Sequence, residues 1–160
     1  MGAGMDRGSE VADRTLTIVR TFDAPRELVF KVWSQPEHVV RWWGPRGFTT
    51  PSCQMDVRPG GSYRTVGRSP DGKEFVMRGS YREVVPPERL VMTFAWENGE
   101  GRTGHETLIE IGFEDVEGRT RLTFTHGTFE TVESRDAHLQ GWTAFMESLA
   151  DYLATDRAED

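Results

Sequence analysis

The chain has 160 residues, a formal net charge of −7 and only two lysines, Lys31 and Lys73. Acidic balance with scattered arginines excludes nucleic acid as a partner, because a phosphate backbone is held by clustered cations that displace its counterions. The single cysteine, Cys53, excludes an internal disulfide and a thiolate-rich zinc site, and no apolar run approaches the roughly 20 residues of a membrane span, so the chain reads as one soluble, cytoplasmic domain.

Met1 to Asp13 is rich in glycine and charge, and Thr155 to Asp160 is mostly charged. Both ends read as disordered tails around a single domain spanning residues 14–154. Arg14 to Phe22 alternates, with Leu16, Ile18 and Phe22 on one side and threonines on the other, which predicts a half-buried first strand. Asp23-Ala24-Pro25 then opens a short helix carrying Leu28, Val29, Val32 and Trp33. Pro36 restarts the chain into a second short helix, with Val39, Val40, Trp42 and Trp43, which Gly44-Pro45 stops.

Turn signals divide the middle of the chain: Pro59-Gly60-Gly61, Pro70-Asp71-Gly72, Pro86-Pro87, Asn98-Gly99 and Glu117-Gly118. Between them strands are predicted over 52–57, 62–67, 74–84, 89–96, 105–114 and 119–126, joined by links short enough for antiparallel neighbours. Thr107, Ile109, Ile111 and Phe113 alternate with Leu108, Glu110, Gly112 and Glu114, so one face of that strand is mostly apolar. Val132 to Leu153 closes the chain as one amphipathic helix, with Leu139, Trp142, Met146, Leu149 and Leu153 at three-four spacing.

Five motifs in this order carry a family resemblance: Arg20 to Val29, Arg41-Trp-Trp-Gly-Pro45, Asp56 to Gly61, Gly79 to Val84 with Pro87 to Leu90, and Gly141-Trp142. The chain resembles the START-like superfamily, and within it is similar to the C-terminal domain of the activator of Hsp90 ATPase. The resemblance implies an α+β helix-grip fold, a seven-stranded curved antiparallel sheet wrapped around the long last helix. A sheet wrapped around a helix tends to leave an apolar hollow between them, and such hollows usually hold small molecules.

The residues placed to line such a hollow are Trp43, Phe48, Met55, Tyr63, Met92, Phe94, Trp96, Phe124, His126, Trp142, Phe145 and Met146. Aromatic rings and thioethers give large, adaptable contact to a planar or apolar guest; residues at these periods are more often the material of an ordinary core. His126 and Tyr63 are expected to add polar anchoring, and the Gly44-Pro45-Arg46-Gly47 turn to form the rim. His38 and His138 are expected at the surface, and Cys53 as an inert thiol. No nucleophile elbow, zinc-protease motif or glycine-rich phosphate loop is present, and no cofactor or metal is implied.

The expected function is noncatalytic binding of a hydrophobic or aromatic small molecule. A cyclase- or hydrolase-type enzyme is the alternative, and it would need His126, Tyr63 or Arg46 aimed into the hollow. A homodimer is compatible with the sequence. An Hsp90-type chaperone ranks last as a partner, because the chain lacks the extra N-terminal domain of the eukaryotic cochaperone.

Overall fold

A computed structural model describes residues 11–155. Of the tails expected at residues 1–13 and 155–160, residues 1–10 and 156–160 lie outside the described residues, and residues 11–13 are helical. The elements run β1 (Leu16–Phe22), α1 (Arg26–Ser34), α2 (Pro36–Val39), β2 (Thr49–Met55), β3 (Ser62–Arg68), β4 (Glu74–Val85), β5 (Arg89–Glu97), β6 (Thr107–Val116), β7 (Arg119–Gly127) and α3 (Val132–Leu153). The seven strands form one antiparallel sheet in the order β1-β7-β6-β5-β4-β3-β2. This is the helix-grip arrangement, with α3 packed across the sheet and the two short helices following the first strand.

The alternation read from sequence decides which face is inward. In β6, Thr107, Ile109, Ile111 and Phe113 are buried while their neighbours are not, and in β7 Thr120, Leu122, Phe124 and His126 are buried in the same way. From α3, Trp142, Phe145, Met146, Leu149 and Tyr152 close on this face. Thr131 caps that helix by accepting a hydrogen bond from the Ser134 backbone N–H. An Arg20–Glu147 ion pair at 2.9 Å ties β1 to α3.

Most strand ends differ from expectation by one or two residues, and three boundaries bear on the site. The second short helix stops at Val39 instead of reaching Trp43; from there the Arg41 and Trp42 N–H groups bond three residues back, and Gly44 at φ +95° ends the segment. β2 begins three residues early and contains Pro51, which an edge strand tolerates because one of its sides has no ladder to complete. β6 begins at Thr107, so His105 and Glu106 belong to the preceding connection.

Candidate functional site

The space between sheet and α3 is largely filled by rings. Trp33 packs edge-on against Trp42 at 4.7 Å, Trp43 against Trp142 at 5.7 Å and against Phe145 at 4.9 Å, and Trp142 meets Phe124 at 4.7 Å. Edge-to-face contacts of this kind add a favourable quadrupole term to the burial itself. What remains inside is a cavity of about 20 Å³, whose walls include Trp33, Thr65 and Tyr81 together with the predicted Trp43, Met55, Tyr63, Met92, Phe94 and Trp142. It has room for one oxygen-sized group.

Roomier apolar openings lie beside this cavity, between α3 and strands β4 and β5. Two adjoining spaces of about 180 Å³ and 200 Å³ share Met77, Trp96, Gly141 and Phe145 as walls. Phe94, Trp142, Ala137 and His138 complete the first; Phe48, Phe75 and Trp43 extend the second toward the turn after α2. Together they reach the lower end of the roughly 300–1,000 Å³ range of ligand clefts. Among the described residues no arginine, lysine or carboxylate lines either space.

Gly141 is the residue that keeps this groove open. It sits inside α3, and a Cβ built there meets nothing within 4 Å. Glycine in a helix interior costs about 1 kcal/mol relative to alanine, so the position gives up helix stability and retains space. We expect Gly141→Ala to raise stability by about 0.5–1 kcal/mol in urea unfolding. The bulkier Gly141→Leu should fill the groove.

Trp96 forms the outer wall and is 37 % exposed. It is nevertheless held: its indole N–H donates to His138 Nε2 at 2.8 Å, while His138 Nδ1–H donates to the Ser134 carbonyl at 2.7 Å. His138, expected as a surface contact, thus positions the wall of the groove. His38 also departs from expectation, being buried and sharing a hydrogen bond of 2.7 Å with the Tyr152 hydroxyl.

Phe124, His126 and Met146 line none of these spaces and are wholly buried. His126 is the middle of a polar thread. Trp142 Nε1–H donates to His126 Nδ1 at 3.0 Å, so the neutral ring carries its proton on Nε2 and donates to Thr107 Oγ1 at 2.6 Å; Thr107 in turn donates to the Phe94 carbonyl at 3.2 Å. Four elements are stitched by three bonds. Burial pushes the His126 pKa down to about 3, with repulsion from His138 adding to it.

The other two polar candidates are also occupied. Tyr63 donates its hydroxyl proton to the Thr93 carbonyl at 2.6 Å, and burial holds its pKa well above the ordinary phenol value. Arg46 lies at the surface beside a separate shelf of about 550 Å³, bound through Nε to Asp151 at 2.6 Å. Its guanidinium holds the Asp151 carboxyl below the usual carboxylate range. The Cys53 thiol is pushed up to about 11 by desolvation, with Glu37 adding to it, which leaves little thiolate at neutral pH. Among the described residues no group of three His, Cys, Asp or Glu side chains is placed to hold a metal ion.

Sequence reasoning missed Met77, Phe75, Trp33, Thr65, Tyr81 and Gly141 as lining residues. A glycine within the apolar stripe of a long helix was the available signal for the last. Thr65 was legible as an inward polar position, two residues beyond Tyr63 on the same strand face.

The model of the family described as activator of Hsp90 ATPase homolog 1-like protein matches residues 23–154. The chain belongs to that family. Among solved structures, the family fold recurs in the AHSA1 protein from Silicibacter pomeroyi, at 29 % identity and TM-score 0.80, covering 88 % of this chain and 97 % of that one. A protein from Nitrosomonas europaea is 26 % identical with TM-score 0.76, over 92 % and 98 % of the two chains. The solution structure of a protein from Arthrobacter aurescens is 25 % identical with TM-score 0.78, over 90 % and 88 %. No curated protein matches the chain. Membership in this family makes the domain a START-like ligand-binding fold. Among the described residues no helix is long and apolar enough to cross a membrane.

Proposed function

We propose that the protein binds an uncharged hydrophobic or aromatic small molecule without transforming it, the guest lying in the groove between β4, β5 and the first half of α3. The observation that carries this reading is the apolar groove opened at Gly141, walled by Met77, Phe75, Trp96 and Phe145. Burying the equivalent of one or two large side chains of ligand surface there yields roughly 1.5–3 kcal/mol each before ordering costs. Affinity then follows from shape and apolar area, with no ionic contact needed.

A noncatalytic role is favoured by the polar groups themselves. His126 and Tyr63 are locked into protein hydrogen bonds and Arg46 into an ion pair outside the groove, so none of the three is poised as an acid, base or nucleophile. Native mass spectrometry beside the denatured spectrum, followed by tryptophan-quenching titrations with flavonoids and polyketides, tests the reading. A copurified mass or saturable quenching, weakened at least about tenfold in a folded Gly141→Leu variant, is the expected result. An empty protein quenched by nothing would overturn it.

A further inference from the structure

Two buried side-chain polar atoms lack a hydrogen-bond partner among the described residues, Trp33 Nε1 and Thr65 Oγ1. Their residues belong to different elements, α1 and β3, and are 5 % and 2 % exposed. Yet both line the same inner cavity. Three other indoles have acceptors: Trp42 donates to the Val32 carbonyl at 2.9 Å, Trp96 to His138 and Trp142 to His126. Folded proteins rarely keep a buried donor unmet, and two beside one cavity point to something that meets them there.

We infer that the guest is a carbonyl compound of the ketone, quinone or flavone type, its oxygen seated in the inner cavity between Trp33 Nε1–H and the Thr65 hydroxyl. This deepens the binding reading and rests on it. An indole N–H only donates, and a carbonyl oxygen with two lone pairs accepts from it and from the threonine O–H together. An alcohol oxygen could also accept from both, but it brings a proton of its own that neither of the two, both donating, accepts. A carboxylate would be buried against walls that carry no cationic side chain among the described residues. A hydrocarbon would answer neither donor.

The cavity admits an oxygen and little more, so the ligand's body stays in the groove. The two compartments adjoin: the inner cavity shares Trp43 with one groove space and Phe94 and Trp142 with the other. Trp43 is only half-buried, whereas Phe94 and Trp142 are 2 % and 3 % exposed, so displacement of Trp43 is the cheapest way to join them.

Calorimetric titration with three matched probes tests the inference: 2-acetylnaphthalene, 2-ethylnaphthalene and 2-naphthoate. The ketone should bind roughly tenfold more tightly than the hydrocarbon, because a site built with donors penalises an analogue that leaves them unpaired, and the anion should bind most weakly. In Thr65→Val, which keeps the side chain's shape, the preference should shrink while hydrocarbon affinity stays within about twofold. Trp33→Phe should act in the same direction. The carbonyl stretch of the bound ketone should be red-shifted in the unaltered protein and less so in Thr65→Val, a readout independent of either variant's stability. Equal affinity for ketone and hydrocarbon, or a preference surviving in both variants, overturns this inference and leaves the groove reading standing. Failure of all three probes to bind overturns both.

Discussion

Replacing His126 with alanine is expected to destabilise the fold by about 4 kcal/mol, read as a large fall in the urea midpoint near neutral pH. The ring fills a site enclosed by Phe94 at 4.7 Å and Phe129 at 4.5 Å, so its loss opens a void. It also strands the Trp142 indole N–H, whose acceptor it is. Thr107→Val, which removes one link and keeps the volume, should cost only about 1–2 kcal/mol.

The same residue sets an acid limit. The imidazole stays neutral in the fold down to about pH 3, whereas in the unfolded chain it titrates near 6.5. The folded pKa is the lower one, so the unfolded state takes up the proton first as pH falls. The contribution is therefore complete above about pH 6.5 and is lost on going down toward pH 3, by up to roughly 1.4 kcal/mol per pH unit. Unfolding free energies of the unaltered protein and His126→Gln, measured across that window, should show the steeper decline only where the histidine is present. Parallel slopes would refute this.

A methyl group at position 79 is expected to be nearly as damaging. Gly79 pairs with Tyr63 across β3 and β4, and a Cβ there would collide with the Thr93 carbonyl and the Tyr63 ring. That ring lies over the glycine so that its hydroxyl can reach the same carbonyl. Gly79→Ala must push apart two strands or expel the tyrosine, and about 3 kcal/mol is the expected loss. Gly112 in β6 provides the control, since a Cβ built there meets nothing within 4 Å; Gly112→Ala should stay within about 0.5 kcal/mol. Thermal unfolding of the two variants side by side checks the contrast, and similar midpoints would contradict it.

Much of the architecture was legible because period-2 alternation and turn chemistry are local signals. The buried set Thr107, Ile109, Ile111 and Phe113 could be read directly, as could the α3 positions Trp142, Met146 and Leu149. The interior was harder to read. A list of aromatic residues does not say whether their rings interdigitate or stand apart, and here Trp33, Trp43, Trp142 and Phe145 interdigitate and leave a small cavity between them. His126 was placed on the correct face, but its partners Thr107 and Trp142 lie 19 and 16 residues away, and no spacing rule connects them. The groove escaped notice for a related reason: it is defined by the missing side chain of Gly141, and pattern reading looks for side chains that are present.

The placement of β1 has a consequence for how the chain is made. Its ladder runs along β7, with Leu16 opposite His126, and its Arg20 is tied down by Glu147 from α3. Ribosomes deliver the amino terminus first, yet this strand has no neighbour until the sheet's last strand has emerged. The strands from β2 to β7 can zip as successive hairpins during elongation, while β1 and the Trp33-bearing helix behind it must wait with apolar surface uncovered. At this edge, the order of synthesis and the order of assembly run in opposite directions.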